Sequence, residues 1–110
     1  MIEDTVKRLE QAILRAGETD PRHRDELIRL LEQLKGELRT LPAAHEERAR
    51  SIAQFAEAAT HEAARTEKAT RLLELSQNGL KESAVGFEVS HPDLTRIVNE
   101  ICNLLAGIGI

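Results

Sequence analysis

The sequence predicts an all-α protein, an antiparallel helical bundle or an extended helical hairpin, and three observations carry that reading. Apolar residues recur at alternating steps of four and three along most of the chain, the spacing that stacks side chains on one face of a helix. Phe55 and Phe87 are its only aromatic residues besides histidine, in a composition dominated by small, aliphatic and charged side chains, so strand-favouring aromatics are scarce. Helix-stopping and helix-starting residues fall at few places, which divides the 110 residues into four main helices, at about 2–16, 21–41, 44–89 and 92–108, within a single domain.

In the first helix Ile2, Val6, Leu9 and Ile13 share a face, and Gly17 ends it. Asp20 followed by Pro21 starts the second: the carboxylate accepts from orphan backbone N–H groups, and proline tolerates the first helical position. Leu27, Leu31, Leu34, Leu38 and Leu41 then form a heptad-like, coiled-coil-type seam that Pro42 closes. The short link between these helices suits a helical hairpin.

From Ala44 to Val89 no proline interrupts a helix-compatible pattern. Ile52, Phe55, Ala56, Ala59 and Ala63 share one side, and Leu73, Leu80 and Phe87 follow at seven-residue intervals. Leu72, Gly79 and Gly86 make a second row. Glycine inside a helix costs roughly 1 kcal/mol against alanine, so Gly79 and Gly86 mark either close packing by another backbone or a cap or interruption. As one rod this segment would span roughly 65–70 Å, against a radius of gyration of about 13 Å for a compact chain of this size. Either the helix breaks near residues 66–70, or the molecule is elongated and covered by a partner.

"SHPDL" resets the path, because proline disfavours helical geometry at His91 while Ser90 or His91 can cap a last helix. There Leu94, Ile97, Val98, Ile101, Leu104, Leu105 and Ile108 fall within an arc of about 120°. Such a face must be covered, since each large aliphatic side chain left in water forfeits roughly 1.5–3 kcal/mol.

A net charge of −4, with no cluster of Lys or Arg, lacks the electrostatic footprint of a nucleic-acid binder. The closing apolar run is too short for a bilayer, which takes roughly 20 residues of helix, so neither nucleic acid nor membrane is an expected partner. The opening "MIEDTVKRLEQ" carries acids where an export signal carries bases, and Cys102 has no second cysteine to pair with, so a cytoplasmic protein is expected.

Chemistry-bearing motifs are weak. "HEERA" at His45 and "HEAAR" at His61 lack the second histidine of a zinc-protease helix, having Ala49 and Arg65 in its place. Glu88 and His91 make one Glu-x-x-His step where a di-iron bundle needs two, and Glu57 with His61 makes one i,i+4 pair. Cys102 has no flanking base to activate it and reads as a small hydrophobe. No phosphate loop or nucleophile elbow occurs. No catalytic residue, cofactor or metal ligand is expected.

The segments "MIEDT" (1–5), "ARSIAQFAEAATHEAAR" (49–65), "RLLELSQNGLKESAVGFEVSHPDL" (71–94) and "VNEICNLLAGIGI" (98–110) resemble a family of short bacterial helical proteins known only as a domain of unknown function. That resemblance implies a small helical protein and no particular activity. The function expected from the helix faces is a non-enzymatic, self-associating module, a homodimer or higher oligomer. Its core or interface comprises Leu73, Leu80, Phe87, Leu94, Ile97, Ile101, Leu104 and Ile108, with Gly79 and Gly86 as close-packing points. The alternatives are an adaptor that binds a helix of a different protein and, less favoured, a metal-binding bundle.

Overall fold

Asp20 starts the second helix as its neighbours require: its carboxylate accepts from the backbone N–H of Arg22 at 2.9 Å and from the Arg22 guanidinium. The Arg22 hydrogen bonds hold the Asp20 carboxyl down at about 2. In this computed structural model, which describes residues 2–109, the helices are α1 (Ile2–Ala16), α2 (Pro21–Arg39), α3 (Glu46–Ala64), α4 (Thr70–Ser83) and α5 (Pro92–Gly109). One 3₁₀ turn, Ala43–His45, leads into α3. Met1 and Ile110, the two ends of the expected 1–110 domain, lie outside the described residues.

Among the described residues five helices therefore stand where four are expected, because the segment 44–89 is two helices and a turn. The break falls at residues 65–69, where no proline or glycine marks it. Arg65 takes an extended backbone (φ −64°, ψ 141°), and Lys68 reaches back to donate to the Ala63 carbonyl. The break stands where one of the two sequence alternatives puts it, near residues 66–70, and beyond it Leu73 and Leu80 are buried in the core. The second end comes at Ser83, before the expected 89, and Gly86 adopts φ +99° just beyond it.

Gly86 is thus a turn glycine rather than a close-packing point. A Cβ built there would meet the Arg48 guanidinium at 3.4 Å or more, an ordinary contact, so the backbone conformation and not the space demands glycine. Gly86→Ala is expected to cost about 1–2 kcal/mol, the usual penalty for a left-handed L-residue. Urea unfolding checks it, and an unchanged midpoint would mean that the turn relaxes freely.

The helices form a closed ring in the order α1, α3, α4, α5, α2, each packed on the next and α2 returning to α1. Its extents are 38 × 22 × 20 Å with a radius of gyration of 12.7 Å. The extended-hairpin alternative does not apply, because α4 turns back on α3 and α5 closes the gap between α4 and α2. The most extensive contacts join α1 to α3 and α3 to α4. Small residues make them possible: Ala12 and Ala16 on α1, and Ala49, Ala53, Ala56, Ala59 and Ala63 on α3, are all buried.

On α1 the buried stripe is Thr5, Leu9, Ala12 and Ala16, while Ile2 is exposed and Val6 and Ile13 sit at the rim. The expected Ile-Val-Leu-Ile face is therefore rotated toward the alanines, which let α3 approach. On α2 the leucines Leu27, Leu31, Leu34 and Leu38 point inward with Leu30, and Leu41 packs partly buried beyond the helix end.

Candidate functional site

The residues expected at a core or interface are for the most part inside this chain's own core. Leu73 and Leu80 from α4, Phe87 from the following turn, and Leu94, Ile97 and Ile101 from α5 are buried; Leu104 and Ile108 are partly buried against them. α4 and α5 are also tied by a reciprocal pair: Gln77 Nε2 donates to the Cys102 carbonyl at 3.2 Å, and the Cys102 thiol donates to the Gln77 carbonyl at 3.7 Å.

Burial pushes the Cys102 thiol up to about 11, with the Lys81 ammonium opposing weakly. A nucleophile needs the opposite shift. Because the folded value lies above that of an ordinary thiol, the fold keeps the thiol protonated. The linked stability is present at neutral pH and lost as pH rises from about 9 through about 11. Cys102→Ser should remove that part of the alkaline decline in urea-unfolding midpoints, and an identical decline in the variant would show that the thiol does not contribute.

The histidines and carboxylates are arranged differently from their sequence pairings. Glu57 pairs with Arg8 of α1 at 2.8 Å rather than with His61. Glu88 accepts from the Gly86 backbone N–H at 2.6 Å, and His91 Nδ1 lies 2.9 Å from Ser90 Oγ. Instead, His45 and His91, distant in sequence, flank Phe87 edge-to-face with ring centroids 5.3 and 5.4 Å from it. Arg48 lies over the same ring, 4.1 Å from its centroid, and donates to the Val85 carbonyl. This is a structural joint that fastens the turn between α4 and α5 to the start of α3. Among the described residues no three His, Cys, Asp or Glu side chains come together in a way that could hold a metal.

Two adjoining clefts of about 410 and 450 Å³ run between α1 and α3, lined by side chains of both signs including Asp4, Lys7, Arg8, Arg50 and Glu57. The Arg8–Glu57 ion pair bridges their shared wall. The first cleft sets three cations against two carboxylates and the second two against two, so most of the charge there is compensated.

The surface with a distinct character is the outward side of α4. At about 100° per residue, Leu72, Leu75 and Gly79 fall within about 60° of one another, on the side away from Leu73 and Leu80. Leu72 is 46% exposed and Leu75 51%. Beside them Phe55 of α3, 39% exposed, lies against Gly79. A Cβ on Gly79 would overlap the Phe55 ring at Cε1 and Cδ1, so glycine is what admits the ring. The close approach anticipated at Gly79 is therefore by a side chain of the same protein, not by another backbone. Next to the ring a cleft of about 390 Å³ is lined by Arg48, Ser51, Phe55, Gly79, Glu82 and Ser83. The other exposed aliphatics, Ile2 and Leu14 on α1 and Val85 and Val89 in the α4–α5 turn, are not part of this helix face.

A family model described as Domain of unknown function (DUF4404) matches residues 2–110. The chain belongs to this family. No curated protein and no solved structure matches it. In this DUF4404 protein no helix among the described residues is long and apolar enough to cross a membrane. Sequence spacing pointed to the row of Leu72 and Gly79, but its contact with Phe55 joins residues 24 positions apart on different helices and has no local signal.

Proposed function

We propose that this protein is a non-enzymatic homo-oligomeric interaction module of the bacterial cytoplasm, and that the α4 face around Leu72 and Leu75 is its self-association surface. One observation carries the reading: the apolar faces of α2 and α5 are already used inside the bundle, whereas two half-exposed leucines of α4 stand beside Phe55 of α3 and a cleft. Contiguous apolar surface on a helix, rimmed by polar groups, is characteristic of a protein–protein contact. The lone thiol fits a reducing compartment.

Leu75→Glu tests it. Burying one leucine is worth roughly 1.5–3 kcal/mol, so losing it and introducing a charge should raise the dissociation constant about a hundredfold or more. Sedimentation equilibrium reads that change, and the variant's thermal unfolding should stay close to that of the dissociated parent because the site is half-exposed. A parent chain that stays monomeric at every concentration would refute self-association. It would favour the second reading, an adaptor in which the cleft beside Phe55 accepts a side chain from a helix of a different protein.

A further inference from the structure

The outward row of α4 has an internal symmetry. Arg71, Leu75, Asn78 and Glu82 follow one another at steps of four, three and four, so they form one stripe, and all four are exposed. Read backwards, the stripe has the same spacing with the charges exchanged. Among the described residues neither Arg71 nor Glu82 makes an ion pair within the chain, whereas Arg8, Arg15, Lys35, Arg65 and Arg96 all do.

We propose that the occupant of this face is a second copy of the chain, docked with its α4 antiparallel to the first across a two-fold axis passing between Ser76 and Gln77. The arrangement rests on the self-association reading and specifies its geometry. Under that axis position i of one copy stands level with position 153 minus i of the other. Arg71 then faces the second copy's Glu82, and Glu82 its Arg71, so one isologous contact makes two opposite-charge pairs. Leu75 of each copy lies across from the other's Asn78 near the centre. Leu72 comes level with Lys81 of the other copy, beside Gly79, Glu82 and Ser83, which line the cleft next to the Phe55 ring. Each copy thus supplies both a projecting leucine and the recess that receives one. Parallel docking would instead set Arg71 on Arg71 and Glu82 on Glu82, opposing like charges at both ends of the contact. Charge complementarity selects the antiparallel partner.

Charge reversal singly and together is the test. Arg71 and Glu82 are exposed and unpaired within the chain, so R71E and E82R should fold like the parent by circular dichroism. Each converts both attractive pairs of the dimer into repulsive ones, which should weaken self-association about tenfold at low salt. R71E/E82R restores opposite charges across the axis and should return the dissociation constant to within about threefold of the parent, as the proposal requires. If the parent self-associates but the single reversals leave its dissociation constant unchanged, or the double variant is no tighter than the singles, the antiparallel geometry is overturned and self-association survives. If the parent is monomeric throughout, both readings fall together.

Discussion

Phe87→Ala is expected to lower the unfolding free energy by about 3–5 kcal/mol, the range found when a buried aromatic is cut to alanine. Phe87 is only 1% exposed although it belongs to no helix. It follows the left-handed Gly86, and its ring fills the space among His45, His91 and Arg48. Truncation removes the edge-to-face contacts of both imidazoles and the ring face under the Arg48 guanidinium in one step. The total stability of a chain this size is roughly 5–15 kcal/mol, so the variant should sit near the limit of folding at 37 °C. Urea denaturation followed by circular dichroism measures the loss. Phe87→Leu, which keeps most of the volume, should lose less than half as much. A Phe87→Ala midpoint equal to the parent's would mean that the turn between α4 and α5 is not fastened through this ring.

The second large effect is expected at Ile101→Ala, about 2–5 kcal/mol. Ile101 is fully buried on α5, the helix that closes the ring by packing on α2 and α4 and touching α3. A void there cannot be filled by a shift of one neighbour without disturbing another, which places the cost toward the upper end of the range. Leu104→Ala, at a partly buried position of the same helix, is the internal comparison and should lose distinctly less. Equal losses at the two positions would indicate that α5 does not present the face described.

Much of the architecture was legible in residue spacing. The leucine seam of α2, the start at Asp20–Pro21 and the inward row of α5 are repeats within single helices, and a helix converts such a repeat directly into a face. The site was legible only in part. Leu72 and Gly79 stand out as a second row on α4, but Phe55, placed by periodicity with the buried Ile52 and Ala56, lies at the rim where it meets Gly79. The joint at Phe87 was missed as a joint, since His45 precedes it by 42 residues and no short motif records their meeting.

From the order of residues alone follow the helical class, the scarcity of strand-favouring aromatics, and which side of α2 and α5 must avoid water. Those are consequences of local periodicity. The choice between a break near 66–70 and an unbroken rod in segment 44–89, the rotation of α1 onto its alanines and the leftover exposure of Leu72 and Leu75 came from packing in three dimensions. A repeat says that a face is apolar, but the neighbour that covers it is chosen by the competition of all five helices for one small core, and α4 has one row more than that core can hold.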